Sequence, residues 1–291
     1  EKKGKEGKKE VQNQTVRDET RTSLYFLGNI YEDLPRVYGN YDSALEKQAT
    51  KTSSTYDPTS LNLKIKLGSW GSSGDKDGND KVTAETTLEA IALHTQAILT
   101  HYSKDLAGMP NLAKWQGKFD GALTKLEPLV KEIAVLREDA QANNGNAANL
   151  NNRFDKLSEK LAVIRNSLDG KNFEKDLNES AKNNTQEGKD SLNLLRRFRT
   201  FGFNFSKIEY RETAKEYSRV VGELVDGYKD LKPEQKIEKL TKLLQKSGAA
   251  AEILTKHEKE IINDGAGRVY SEDSAKPIAY HTLKRMALAR D

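Results

Sequence analysis

The side chains best suited to bind a ligand lie together in one short stretch, Gly74-Asp75-Lys76-Asp77-Gly78-Asn79. Short carboxylate and amide groups in a glycine-containing loop can bind a cation, and such loops can also bind phosphate. Counted from Asp75, a calcium-binding loop requires glycine at position 6 and glutamate at position 12, but Asp80 and Thr86 stand there. The Gly-Lys-Ser/Thr ending of a phosphate loop does not follow either. Spacing alone therefore leaves two alternatives, a ligand-binding loop and a structured polar turn.

A predicted strand and a predicted helix flank this loop. Residues 61–67 alternate apolar and polar side chains, which predicts a half-buried strand. Residues 68–74 are too rich in glycine to continue as helix or regular sheet. Thr83 stands where a helix N-cap is expected, and Glu85 and Glu89 follow in the early turns, where carboxylates interact favourably with the helix dipole. The loop is therefore expected to connect a strand end to a helix N-terminus.

This stretch resembles the phosphoenolpyruvate carboxylase family. Gly68-Ser69-Trp70, the loop 74–79 and Val82-Thr83 are similar to the family motif Ser-Trp-x-Gly-Gly-Asp-Arg-Asp-Gly-Asn-Pro-x-Val-Thr. Lys76 and Asp80 replace the arginine and the proline of that motif, and the glycine-rich linker is one residue longer. Lysine lacks the planar guanidinium group that binds a carboxylate in a bidentate manner.

A second motif follows in the order that the family has. Residues 194–224 resemble the family segment in which Arg-Arg and Thr-Phe-Gly precede a strand ending in Asp-Ile-Arg-Gln-Glu-Ser, and then a helix. Thr200-Phe201-Gly202 match this segment, and Ile208-Glu209-Tyr210-Arg211 occupy the strand end. A weaker similarity covers residues 18–44, where the family has a helix with a Leu-Pro break. The resemblance therefore spans residues 18 to about 244.

The resemblance implies roles for two groups of residues. Arg211 matches the family arginine that faces the substrate, and its guanidinium group would hold the phosphate or the carboxylate of phosphoenolpyruvate. The loop would shape the same pocket, and Trp70 would shield that pocket from water. The residues expected to shape the pocket are Trp70, Gly74, Asp75, Lys76, Asp77, Gly78 and Asn79.

The resemblance also implies the chemistry of the longer protein of which this chain would be a piece, which is called the parent protein below. In the family, bicarbonate adds to phosphoenolpyruvate to give oxaloacetate and phosphate, with Mg²⁺ or Mn²⁺, in a homotetramer. This chemistry needs a Thr-Ala-His-Pro-Thr segment, a Gly-Arg-Gly-Gly loop and two acidic metal ligands in the C-terminal half. The first two are not found here, and the chain stops before the region of the ligands. No complete catalytic set and no metal site are expected in this chain, which is predicted to be inactive alone.

The ends of the chain have the pattern of a piece of a longer protein. The first residue is Glu1 rather than methionine, and residues 283–291 stop within a helical pattern. The expected division is a charged tail, residues 1–16, and a helical region, residues 17–291, that contains a helical hairpin insertion at about 111–170.

Composition limits the partners that the chain can have. Its 48 basic and 44 acidic residues give a net charge of +4, which offers no electrostatic basis for binding nucleic acid. Without cysteine the chain has no disulfides, thiolate metal sites or cysteine nucleophiles. The sequence shows no apolar run near the length of a membrane span and no signal peptide. A cytoplasmic protein with no membrane partner is expected.

Apolar residues at helical spacing predict a mainly α-helical chain. A helix over 18–34 is predicted to break at Pro35, and a second helix follows to about Gln48. The turn Asn143-Asn144-Gly145-Asn146 predicts an antiparallel hairpin, and residues 169–170 and 178–188 are expected to be loosely ordered. The other predicted helices cover residues 83–106, 112–141 with a kink at Pro128, 150–168, 191–199, 220–228, 233–244, 249–262 and 277–289.

A second strand is predicted over residues 201–210, where Phe203, Phe205, Ile208 and Tyr210 alternate with other residues. Two isolated strands cannot form a stable sheet by themselves. In the family that the chain resembles, they are neighbouring strands of an eight-stranded barrel. The predicted fold is therefore mainly α, a helical bundle with two strands that belong to an incomplete (β/α)-barrel.

The histidines are not expected to bind a metal ion. His94 and His101 share a helix face, but a metal pair favours i, i+4 spacing with a third ligand, so surface histidines are expected.

Three interpretations of the parent protein remain open. The first is an active carboxylase, and the second is a catalytically degenerate relative that serves as a binding or scaffold protein. The third is a helical interaction module with chance motif similarity. The residues that replace those usual in the family are Lys76, Asp80, Glu212, Glu216 and Tyr217.

Overall fold

The computed structural model describes residues 15–63, 65–69, 74–75, 79, 81–142, 147–209, 211 and 213–245. Within these residues the fold is mainly helical, as predicted. The helices are α1 (Val16–Lys51), α2 (Ala84–Leu106), α3 (Ala113–Gln141), α4 (Ala147–Asn166), α5 (Gly170–Ser180), α6 (Gln186–Phe201), α7 (Ala214–Leu224) and α8 (Pro233–Gln245). Two short strands, β1 (Gly68–Ser69) and β2 (Lys207–Ile208), pair in parallel, and 3-10 turns cover Pro58–Ser60 and Pro110–Leu112.

Helix α2 lies at the centre of the core. Its first nine residues, Ala84–Ala92, are all buried, because this helix packs against α1, α3, α4 and α6. Further along α2, Tyr102 is enclosed by aromatic rings from α3, α5, α6 and the segment after α6, with ring centroids 6.0–6.2 Å away. Two of these rings are tilted and two are edge-to-face to Tyr102, and such ring contacts stabilise the core beyond the apolar area that the rings bury. The rings around Tyr102 are Phe119, Phe173, Phe198 and Phe203.

Helices α3 and α4 pack side by side in opposite directions. Arg153 contacts Asp139 at 2.7 Å and Lys160 contacts Glu132 at 2.9 Å, so residues later in α4 meet residues earlier in α3. The predicted turn at 143–146 lies outside the described residues. Pro128 lies inside α3, which continues as one helix on both sides of it.

The predicted break at Pro35 is wrong, since α1 continues through it. Proline has no N–H group, so the carbonyl oxygen of Tyr31, four residues earlier, loses its helical donor. Arg197 of α6 replaces that donor, because its Nε donates to the Tyr31 carbonyl oxygen at 3.0 Å. The same guanidinium group contacts Asp105 at 2.8 Å and lies 4.3 Å from the centroid of the Tyr31 ring. A side chain distant in sequence therefore maintains the helix.

Several predicted boundaries need correction. The connection expected at 169–170 and 178–188 is helical at 170, 178–180 and 186–188, because Asp169 and Thr185 accept hydrogen bonds from Asn172 N and Gly188 N and begin α5 and α6. Residues 181–185 form the non-helical connection between these two helices. The strand predicted at 61–67 is wrong, because the described residues of that range are not strand and β1 lies just after them, in the glycine-rich stretch expected not to continue as sheet. The strand predicted at 201–210 is reduced to two residues, and α7 begins before the predicted residue 220. The helices predicted at 249–262 and 277–289 lie outside the described residues.

A buried carboxylate joins three helices. Glu89 of α2 is 2% exposed and contacts Arg17 of α1 at 3.1 Å and Arg137 of α3 at 2.6 Å. A buried charge is tolerated only when it is paired, so these two contacts fix α1 and α3 against the first turns of α2. Among the described residues, no helix is both long and apolar enough to cross a membrane.

We expect Pro35 and Arg197 to be energetically coupled. In the Arg197→Met variant the Tyr31 carbonyl loses its donor, and Pro35→Ala provides a new N–H group for it. Pro35→Ala should therefore stabilise the Arg197→Met variant by about 1 kcal/mol more than it stabilises the chain with Arg197 intact. A double-mutant cycle of urea unfolding measures this coupling, and additive changes would contradict the role given to Arg197.

Removal of the Glu89 carboxylate should destabilise the fold strongly. Glu89→Ala leaves Arg17 and Arg137 without their shared partner, which we expect to lower the free energy of unfolding by about 3 kcal/mol. The matched control is Glu132→Ala, which removes an exposed partner of Lys160 and should leave the urea midpoint nearly unchanged. Equal effects of the two substitutions would show that the buried ion pairs have no special weight.

Candidate functional site

The two predicted strand segments meet at one side of the helical body. Gly68 pairs with Lys207 and Ser69 with Ile208 in parallel register, and Lys207 N donates to the Leu67 carbonyl oxygen at 2.8 Å. The Glu209 side chain lies over Gly68, where an added Cβ atom would overlap it. Parallel strands place the residues that follow them at the same edge, so the loop after β1 and the residues after β2 are brought together.

Arg211 and the loop after β1 form the centre of the candidate site. Asp75 and Arg211 make an isolated parallel bridge, and Arg211 N donates to the Gly74 carbonyl oxygen at 2.7 Å. The side chains also approach each other, with 3.8 Å between Arg211 Nη1 and Asp75 Oδ1. The Arg211 side chain is 56% exposed, so it can also contact a ligand from solution.

Asn79 and Thr83 form the link from the loop to α2. The side-chain Oδ1 of Asn79 accepts a hydrogen bond from Lys81 N at 3.0 Å, and the backbone carbonyl oxygen of Asn79 accepts one from Val82 N at 3.1 Å. Thr83 caps α2 as predicted, in a reciprocal capping box with Thr86. Asn79 therefore has a structural role in a polar turn, which starts α2 directly after the loop.

The structure describes part of the predicted site. Gly74, Asp75 and Arg211 come together, and Asn79 lies in the turn before α2. The remaining loop residues expected to shape the pocket, which include the replaced residue Lys76, lie outside the described residues together with two more of the replaced residues. These are Trp70, Lys76, Asp77, Gly78, Asp80 and Glu212.

Sequence reasoning missed one carboxylate near this site. Burial raises the pKa of Glu19, in the first turns of α1, and the negative charge of Asp75 raises it further. Glu19 therefore belongs to the electrostatic environment of Asp75. No local pattern marks this residue, because only the packing of α1 brings it to the loop.

The described part of this arrangement is suited to binding an anion. Arg211 offers a guanidinium group with several donors, which suits a carboxylate or a phosphate. In the part of the chain that the structure describes, no group of three or more His, Asp or Glu side chains is arranged to hold a metal ion. A single arginine supplies one of the charged groups that a preorganised site needs.

The interpretation of His94 as a surface residue is wrong. His94 is 1% exposed, and its Nδ1 lies 3.3 Å from the Ser206 hydroxyl in the turn before β2. Burial lowers the pKa of His94 to about 4, although a hydrogen bond with the backbone of Asn204 opposes that shift. His101 is partly buried against the Tyr31 ring, with 4.5 Å between the ring centroids. Both histidines serve packing between α2 and its neighbours.

Comparisons with known proteins agree on one family. The sequence profile described as phosphoenolpyruvate carboxylase matches residues 9–190, which is more than half of the chain. The phosphoenolpyruvate carboxylase of Nostoc sp. is 26% identical over 263 residues, which cover 79% of this chain and 25% of the relative. Phosphoenolpyruvate carboxylase 1 of Chlamydomonas reinhardtii is 33% identical over 121 residues, which cover 41% of this chain and 11% of the relative.

A shorter alignment has higher identity. The phosphoenolpyruvate carboxylase of Burkholderia vietnamiensis is 36% identical over 89 residues, which cover 30% of this chain and 8% of the relative. The chain thus spans about a quarter of the length of the first curated relatives that it matches. No solved structure gives a significant match.

The buried His94 should make stability fall at acidic pH. Its pKa is depressed from 6.5 to about 4 on folding, so it stays neutral in the folded chain while the unfolded chain takes up a proton. Its contribution is complete above pH 6.5 and is lost as the pH falls towards 4, by up to about 3 kcal/mol. Urea unfolding between these pH values measures the loss.

The matched control for this prediction is His94→Gln, which keeps a polar side chain but cannot titrate. The carboxylates that titrate in the same range are shared by both proteins, so the difference between the two stability curves isolates His94. Parallel curves from pH 7 to pH 4 would contradict the depressed pKa of His94.

Proposed function

The chain belongs to the phosphoenolpyruvate carboxylase family, and from this premise we propose that it forms part of an enzyme that adds bicarbonate to phosphoenolpyruvate. The products would be oxaloacetate and phosphate. The single observation that carries this proposal is the hydrogen bond of 2.7 Å between Arg211 N and the Gly74 carbonyl oxygen. It joins the two segments whose motifs resemble the family, although they are far apart in sequence.

Arg211 would bind the phosphate or the carboxylate of phosphoenolpyruvate. Its exposed side chain lies after β2, at the edge where residues following parallel strands meet. Charge-assisted, bidentate hydrogen bonds would both orient the substrate and neutralise its charge. The loop after β1, including Trp70 and residues 74–79, would form the wall of the same pocket.

A divalent cation, Mg²⁺ or Mn²⁺, would belong to the complete enzyme rather than to this region. Among the described residues no cluster of His, Asp or Glu fits such an ion. We therefore assign no step to a metal in this chain. Arg211 binds and orients the substrate, and the groups that form and break bonds would come from other parts of the polypeptide.

Two features of the described region support a larger polypeptide around it. Within the described residues, β1 and β2 pair only with each other, which suits neighbouring strands of a barrel completed by other segments. One side of α1 also exposes apolar side chains at helical spacing, a surface suited to packing. These residues are Phe26, Ile30, Val37 and Tyr41. The parent would be a cytoplasmic homotetramer, and the 291-residue chain alone would be inactive.

A catalytically degenerate relative, acting as a binding or scaffold protein, is the second candidate function. Asp75 lies 3.8 Å from Arg211, and Glu19 is close enough to Asp75 for the two charges to interact. The Asp75 carboxylate beside the arginine, with Glu19 near that carboxylate, opposes the binding of an anionic substrate. Lys76 also replaces the family arginine in the loop. These observations favour the second candidate.

We expect Arg211→Ala to abolish most substrate binding in a polypeptide of the relatives' length that contains this chain. Loss of charge-assisted hydrogen bonds should lower kcat/KM for phosphoenolpyruvate by roughly 10- to 100-fold. Arg211→Lys keeps the charge but not the planar guanidinium group, so its kcat/KM should lie between those of the unsubstituted protein and of Arg211→Ala. The measurement is oxaloacetate formation, coupled to malate dehydrogenase, with bicarbonate and Mg²⁺ present.

The control is Arg36→Ala, because Arg36 is an exposed arginine of α1 that contacts Asp33 and should be neutral in this assay. A folded full-length protein without activity would favour the scaffold. Activity that survives Arg211→Ala would contradict the role of Arg211 but not the family chemistry. The isolated 291-residue chain should give no oxaloacetate, and measurable formation would contradict its proposed inactivity.

A further inference from the structure

We propose that the groove between α3 and α4 binds an acidic amphipathic helix of a partner protein. The groove has a volume of about 430 Å³ and lies along the outer side of the antiparallel hairpin. It is separate in sequence from the residues around Arg211, and the proposed carboxylase reaction does not use it. Its floor is apolar, and most of the side chains around it are basic.

The apolar floor of the groove is partly exposed to water. Val135 of α3 lines the groove and is 51% exposed, beside the buried Leu157 of α4. Val163 of α4 is 70% exposed and follows Lys156 by seven residues, so it continues the same helix face beyond the residues that line the groove. An exposed valine in the groove and a second one on α4 just beyond it favour an apolar helix stripe as the occupant.

The charged side chains around the groove favour an acidic occupant. Four cations line the groove, Lys131, Arg153, Lys156 and Lys160, against the single carboxylate of Glu132. Arg153, Lys156 and Lys160 of α4 are spaced at i, i+3 and i+7, so they form one row along the groove. Carboxylates at similar spacing on a docked helix would face this row. Nucleic acid fits less well, because no aromatic side chain lines the groove and its floor is aliphatic.

The existing ion pairs leave these cations available. Lys131 contacts Glu127 at 2.9 Å and Lys160 contacts Glu132 at 2.9 Å, but all four side chains are more than half exposed. Exposed pairs of this kind contribute little to stability, so their lysines can turn to an incoming carboxylate at small cost. Lys156 has no ion-pair partner in the described part of the chain. Arg153 contacts Asp139 at 2.7 Å and holds the hairpin together.

The test uses a fluorescent peptide of about 18 residues, long enough for roughly five helical turns, with leucine on one face and glutamate on the other. Fluorescence anisotropy measures its binding to the chain. We expect saturable binding that weakens as salt rises from about 50 mM to about 300 mM. A scrambled peptide of the same composition should bind at least about tenfold more weakly, because it cannot present both faces at once.

Variants identify the surface that binds. The double variant Lys156→Glu, Lys160→Glu should weaken binding by about tenfold or more, and Val135→Asp should do the same through the apolar floor. The matched control is Lys171→Glu, Lys175→Glu, which makes the same charge change on the exposed surface of α5. Circular dichroism of each variant confirms that the helices are intact.

Four outcomes would overturn the proposal. The first is no binding of the amphipathic peptide, and the second is equal binding of the scrambled peptide. The third is equal loss of binding in the α5 control, which would indicate a general response to charge. Heparin and phosphatidylserine vesicles serve as competing polyanions. If either binds more tightly than the peptide and loses its binding in the groove variants, the partner is not an acidic helix.

Discussion

The carbonyl oxygen of Tyr31 needs a donor that its own helix cannot provide, and this need determines how α6 packs against α1. Pro35 removes the helical N–H group, and Arg197 Nε replaces it at 3.0 Å. The adjacent Arg196 is buried and contacts Asp42 of α1 through two nitrogens, at 2.7 and 2.6 Å. Two neighbouring arginines therefore fix the position of α6 along α1, since their planar groups tolerate little displacement.

The position of α6 in turn determines where the candidate site forms. Gly202 ends α6 with φ 53°, and Phe205 takes φ 60°, a strained conformation for a bulky residue. The Phe205 side chain is fully buried against Tyr31 and Phe201, which compensates for that strain. Residues 207–208 then run beside residues 68–69, and Arg211 reaches Gly74. The site is thus anchored to the helical body through the same aromatic residue, Tyr31, that Arg197 contacts.

The sequence predicts those features that depend on local chemistry. The Thr83 cap, the course of α2 and the helices of the hairpin follow from side-chain preferences and spacing, and the structure confirms them. The unbroken α1 could not be predicted, because the donor that replaces the missing N–H group comes from residue 197. Alternation at 61–67 indicates which side chains face the core, but a strand also requires a partner at each position. His94 could have been assigned to the core, since it follows Ile91 and precedes Ile98 at helical spacing.

The charges around Arg211 determine whether this site can bind an anionic substrate. At 3.8 Å and with more than half of the arginine exposed, the pair with Asp75 resembles an ion pair in water, worth roughly 1 kcal/mol. A doubly charged phosphate bound through two parallel hydrogen bonds can displace such a partner. It would still meet the negative charge of Asp75 and its neighbour Glu19, so Arg211 alone cannot hold it tightly. The proposed carboxylase would therefore need further cations at this edge, whereas the proposed scaffold would need none, because Asp75 and Arg211 already pair with each other across the two segments.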